Sequence, residues 1–162
     1  MSLRPDLVDC WVVRRAGDRL ETLLLRRAPG RILPGLWQCV SGSLEPGERI
    51  TFGALRELAE ETGIAADGIE AFYDLDLVNQ FHEPSVDAVV LSAVFAVVVR
   101  PGIEPVRSHE HDGHRWVPIE DAIAEVVWPG YREALRRIAE DLADPARAVW
   151  FELTLAGARA LT

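Results

Sequence analysis

Two apolar runs rich in branched residues, 7–15 and 20–27, flank the short polar stretch Ala16-Gly17-Asp18-Arg19. Such residues suit the pleated surface of a strand and the linker suits a tight turn, so the pattern predicts a β-hairpin. Residues 28–35 hold two prolines together with Gly30 and Gly35 and predict a loop. A short strand is expected over 36–40, running into a turn at 41–48 where Gly42, Pro46 and Gly47 interrupt regular structure. Thr51 is the expected N-cap of a helix reaching Thr62, with Gly63 as its stop. Phe52, Leu55, Leu58 and Ala59 are expected on the face that anchors this helix to a sheet. Strand-like segments at 69–80 and 87–100, separated by Pro84-Ser85, predict a second hairpin. A short strand is expected at Arg115-Trp116-Val117, and the spacing of Leu135, Ile138, Ala139 and Leu142 predicts an amphipathic helix over 131–142. The apolar tail 146–161 fits either a strand or a helix. A mixed sheet with helices on its faces is the simplest assembly.

The 162 residues favour one domain over 1–162. A chain of this size buries roughly 70% of its unfolded surface, enough for a core without disulfide staples. Seventeen basic residues, all arginine, stand against 26 acidic ones, giving a net charge of −9. That balance disfavours a general binder of nucleic acid, whose affinity comes mainly from neutralising phosphates. Cys10 and Cys39 are far apart and form no Cys-x-x-Cys, which fits a reducing cytoplasm better than a disulfide framework. Residues 1–6 lack the apolar run of a secretory signal, and the apolar stretch 88–99, interrupted by Ser92, is too short for a membrane span. The expectation is a soluble cytoplasmic protein.

Glu57, Glu60 and Glu61 fall at i, i+3 and i+4, on one face of the expected helix. A solvated acidic face is the ordinary explanation of such a cluster. Two features count against it. Like charges at these spacings destabilise a helix, and acids near a helix C-terminus oppose its dipole. Clustered carboxylates do suit a hard divalent cation such as Mg²⁺ or Mn²⁺.

Gly42, Glu48, Arg56, Glu57, Leu58, Glu60, Glu61, Gly63 and Ile64 occupy a 23-residue window, 42–64. All nine match the Nudix box, G-x5-E-x7-R-E-U-x-E-E-x-G-U with U aliphatic, so the chain resembles that family. The resemblance implies an α/β/α sandwich, an α/β fold with a mixed sheet, and hydrolysis of a nucleoside diphosphate linked to another moiety. It makes Glu57 and Glu61 the main metal ligands, Glu60 a further ligand directly or through water, and the Gly42 carbonyl another. Arg56 and Glu48 would pair and hold the carboxylates, with Gly63 closing the box.

Outside the box, Leu36-Trp37-Gln38-Cys39-Val40-Ser41-Gly42-Ser43 resembles the segment entering the box in the dihydroneopterin triphosphate and dATP pyrophosphohydrolase branch. So do Glu110-His111 with Arg115-Trp116-Val117, and Trp128 with Arg132, Ala134 and Leu135. On this resemblance Glu110 becomes a metal ligand or base from outside the box, and Arg26 and Ser41 become substrate contacts. Trp37 would stack on a base or pterin ring, or serve the core. Ser41 stands where many Nudix boxes have glycine, and residues 79–84 depart from the pterin enzyme's pattern. Residues 79–82 hold neither the proline of many ADP-ribose enzymes nor the tyrosine of dinucleoside polyphosphate enzymes.

His109, His111 and His114 with Glu110 and Asp112 lack a partner completing a tetrahedral zinc set and read as a polar loop beside the metal site. The expected activity is metal-dependent cleavage of a nucleoside triphosphate-like small molecule to monophosphate and pyrophosphate. Another nucleoside diphosphate derivative, such as ADP-ribose or a nucleotide sugar, is the alternative, followed by a non-catalytic nucleotide-sensing module. Val149-Trp150-Phe151 would serve either a homodimer interface or the core.

Overall fold

The structure, a computed structural model, describes residues 2–161. The first hairpin forms as the pattern predicts: β1 (Leu7–Ala16) pairs antiparallel with β2 (Arg19–Arg27), and Gly17 takes the positive φ of the turn. The long apolar run becomes β6 (Ala88–Val99), which lies parallel to β1 from Leu7↔Ser92 to Val13↔Val98. Buried on both faces, it shows no polar alternation over 93–99. It pairs antiparallel with β5 (Ile69–Glu83), which closes the second hairpin and runs three residues past its expected end.

The expected strand at 36–40 divides in two: β3 (Trp37–Gln38) pairs with β2, and β4 (Val40–Ser43) pairs with the opening half of β1. Strand pairing therefore continues through Ser41 and Gly42 into the expected turn. β7 (His111–Pro118) is longer than the three residues expected and pairs with β2. The mixed sheet runs β3-β2-β1-β6-β5-β8, where β8 is Glu152–Leu153.

Alternation along the strands builds two cores. Val8, Cys10, Val12, Leu23, Leu25 and Val97 pack on the side of α1 (Ile50–Thr62). Trp11, Val13, Leu24, Leu75, Val94 and Ala96 pack on the other side, against α2 (Ile119–Glu125) and α3 (Pro129–Arg137). This is the α/β/α arrangement the resemblance implies. The helix expected over 131–142 starts at Pro129 and changes to a π-helical turn at Ile138–Leu142. α2 has too short a pattern to be foreseen. The ambiguous tail supplies both a helical turn, α4 (Pro145–Ala148), and β8; Trp150 is exposed, whereas Phe151 packs on the core.

The expected cap and packing face of α1 both need correction. Arg49 is the capping position and caps with no side chain, leaving Thr51 inside the first turn. The buried stripe is Gly53, Ala54, Glu57, Leu58, Glu61 and Thr62. Phe52 and Ala59 are exposed, Phe52 lying under the Arg49 guanidinium at 4.8 Å. The i, i+3, i+4, i+7 stripe from Ala54 through Glu57 and Leu58 to Glu61 is the one that meets the sheet. Two carboxylates occupy positions that an apolar side chain would ordinarily fill.

Candidate active site

The approach of α1 to β4 depends on one residue without a side chain. A Cβ at Gly42 would lie 2.1 Å from the Glu57 carboxyl carbon and 2.3 Å from each of its oxygens. Only glycine lets the carboxylate rest on the strand backbone at that point. One turn on, Glu61 is 2% exposed and its Oε2 has no hydrogen-bond partner. Burial, then the negative charges of Glu110 and Glu57, push its carboxyl up to about 9. Burial also raises Glu57, against the opposing pull of Arg56.

Arg56 organises the outer half of the cluster. Its Nε and Nη2 donate to the two oxygens of Glu48 at 2.7 and 3.0 Å, a bidentate pair. Its Nη1 donates to Glu57 at 2.9 Å and to Glu60 at 3.2 Å, and Nη2 also reaches the Ser43 carbonyl at 2.9 Å. The guanidinium, helped by the Glu45 N–H, holds the Glu48 carboxyl down to about 2. Gly63 ends the helix in the left-handed conformation at φ 70°, donating to the Ala59 carbonyl.

The candidates from outside the box separate. Glu110 precedes β7 and acts on both Glu57 and Glu61 through its charge, while Arg31 pairs with it at 3.6 Å. Arg26 is engaged by Asp112 at 2.8 Å. Trp37 is half-buried, with the guanidinium carbons of Arg115 and Arg26 at 4.4 and 5.6 Å from its ring centroid. Ser41 stands beside the buried Asp9 and Glu61 and lowers the carboxyl of each against the larger effect of burial. Glu60, 58% exposed along its side chain, stands at the rim.

Sequence reasoning missed two buried groups. Asp9, 4% exposed, has its carboxyl pushed up by burial against the lowering effect of Ser41, Ser92 and Asn79. A lone acid inside an otherwise apolar strand was the signal. His111 was read as part of a polar loop, yet it is 5% exposed, with burial lowering its proton affinity.

The donor set fits a hard cation. Among the described residues no three acidic or histidine groups already stand at ligating spacing, since Arg56 engages Glu57 and Glu60. The orphaned Glu61 oxygen, the side-chain-free approach at Gly42 and two further carboxylate charges are the oxygen-rich, negative surroundings such an ion selects.

The model of the family described as NUDIX domain matches residues 3–138. An octanoyltransferase of Myxococcus xanthus is 36% identical over 80% of this chain, which spans 35% of that protein. Nudix hydrolase 6 of Arabidopsis thaliana is 27% identical over 74% of the chain, which spans 41% of it. The chain thus spans well under half the length of these curated relatives. Among solved structures, a Caenorhabditis elegans Ap4A hydrolase aligns with a TM-score of 0.73 and 22% identity, covering 86% of this chain and 98% of that one. The Escherichia coli dihydroneopterin triphosphate pyrophosphohydrolase aligns with a TM-score of 0.70 and 24% identity, covering 83% and 94%. These two establish the shared fold. No helix of the described residues is long and apolar enough to cross a membrane.

Proposed function

The chain belongs to the NUDIX domain family, and from that membership we propose that it is a divalent-metal-dependent pyrophosphohydrolase. Its substrate is a nucleoside triphosphate-like small molecule, a dNTP, an NTP or dihydroneopterin triphosphate, cleaved between the α and β phosphates. The observation that carries the proposal is Glu61, a buried carboxyl with an unpartnered oxygen beside Glu57 and Glu110. Burying a carboxyl with an unpartnered oxygen is costly unless a ligand completes the site.

Glu57, Glu61, Glu110 and the Gly42 carbonyl would hold Mg²⁺ or Mn²⁺, with Glu60 reaching it directly or through water. When bound, the metal neutralises phosphate charge and acidifies water. Arg56 keeps Glu57 in place against Gly42, and Glu48 keeps Arg56 in place. A carboxylate of this cluster accepts the proton of the attacking water, whose oxygen forms the new bond to phosphorus. The bridging oxygen leaves with pyrophosphate, and the other product is a monophosphate. The reading carries with it one domain over 1–162, a cytoplasmic setting and no long nucleic-acid partner. The transferase name of the Myxococcus relative does not extend to this chain, which spans 35% of it.

The test is phosphate-product analysis on a panel of nucleotides with Mg²⁺ or Mn²⁺, beside Glu57→Gln and Glu61→Gln. Release of monophosphate plus pyrophosphate by the wild type alone is expected. Two monophosphates would move the substrate to a diphosphate-linked compound. Equal background rates in all three proteins would remove the enzymatic reading.

A further inference from the structure

The segment between β6 and β7 folds back onto the end of α1: the Val106 N–H donates to the Thr62 carbonyl at 2.8 Å and the Ser108 N–H to that of Glu61 at 3.3 Å. A groove of about 510 Å³ opens here, walled by Arg107, Ser108, His109, His111 and His114. Its polar lining offers hydrogen-bond donors and includes no carboxylate, in a chain carrying 26 acids.

The hydrogen bonds assign which atoms donate. Arg27 donates to Gln38 Oε1 at 3.4 Å, which orients the Gln38 amide with its nitrogen toward His111 Nε2 at 3.0 Å. An amide nitrogen only donates, so Nε2 accepts and the ring proton sits on Nδ1. That Nδ1 is buried and has no partner. At the opposite wall Arg107 donates to His114 Nδ1 at 2.8 Å, placing the His114 proton on Nε2. Arg107 itself has no carboxylate partner among the described residues. The Ser108 hydroxyl accepts from the Glu110 N–H at 3.3 Å and keeps its own proton to give. Arg107, Ser108 and His114 thus line the groove with donors to spare and no carboxylate among them, while the Nδ1–H of His111 is buried and unpartnered. Phosphate oxygens satisfy such a set, and a groove without a carboxylate stands out in a chain of net charge −9.

We propose that this groove receives the terminal phosphate of the substrate, the end that departs as pyrophosphate, and so selects a triphosphate over a compound lacking that group. The proposal rests on the pyrophosphohydrolase reading: Ser108 is tied to the backbone N–H of Glu110 and the backbone carbonyl of Glu61, so the groove adjoins the segments carrying both carboxylates and a chain of phosphates held there reaches into it.

Two measurements test it. In steady-state kinetics, the exposed Arg107→Ala raises KM for the nucleoside triphosphate about tenfold or more, with kcat altered less than about threefold, as loss of one charge-assisted bond predicts. In metal-free protein, inorganic tripolyphosphate shifts the ring ¹⁵N signals of His111 and His114, and Arg107→Ala weakens that titration about tenfold. Unchanged KM in Arg107→Ala, or ring signals indifferent to tripolyphosphate, would overturn the groove assignment. Failure to hydrolyse any anhydride, with the ring shifts intact, would remove the hydrolase reading and leave the phosphate groove supported.

Discussion

The two sides of one short helix hold glutamates in opposite electrostatic conditions. On the outer side Glu48, reached from the preceding loop, is gripped by Arg56 and held charged to about 2. On the inner side Glu61 lies in the apolar stripe, without a cation, and is pushed up to about 9. The difference separates structure from chemistry. A carboxylate whose charge is already matched by a guanidinium is a strut. One that is desolvated and unmatched is stable only as its neutral acid until a cation arrives.

Loss of the inner pair should have the largest effect. Glu57→Gln and Glu61→Gln should each lower kcat by about a thousandfold or more, since several kcal/mol of charge stabilisation depends on the ion they hold. Metal-free Glu61→Gln should nevertheless melt no lower than the wild type, because Gln replaces an acid already neutral at pH 7. A large fall in melting temperature without metal would erase the distinction between strut and ligand.

Arg56 joins the two sides, so the comparison sharpens there. Arg56→Lys should cost about a hundredfold in kcat, because an ammonium cannot make the bidentate pair with Glu48 while also holding Glu57 and Glu60. Full activity in Arg56→Lys would show that a point charge suffices.

The smallest effect belongs to Glu48 itself. Glu48→Gln should cost about tenfold in activity and part of the acid resistance. The folded-state value lies below the unfolded one, near 4.5, so the stabilisation is fully present above pH 4.5 and is lost as pH falls through about 2. Denaturant melts across that window should show wild type and variant converging at its acid end.

Periodicity made the layers of this molecule legible. The long apolar run of β6, broken only by Ser92, marked a buried strand, and the box spacing marked Gly42 and the carboxylates. What escaped was tertiary in origin. Glu57 and Glu61, marked as ligands by the box, were expected opposite the packing face rather than on it, because a hydrophobicity pattern cannot show that the sheet ends in a polar site rather than more core. The split of 36–40 into β3 and β4 arises because the chain changes partner from β2 to β1 at Cys39, a pairing choice no local propensity records. His111 looked like one of several loop histidines until Gln38, 73 residues away, fixed its tautomer.

The central claim is that Glu61 waits as a neutral acid for a cation, and proton counting measures it. Titrating Mg²⁺ calorimetrically at pH 7 in buffers of different ionisation enthalpy should show about one proton released per ion bound by the wild type, and close to none by Glu61→Gln, because the ligand must be deprotonated to bind. Affinity should rise with pH toward about 9 in the wild type only. Binding of Mg²⁺ with no proton release at pH 7 would mean that Glu61 is already ionised, and would contradict the account.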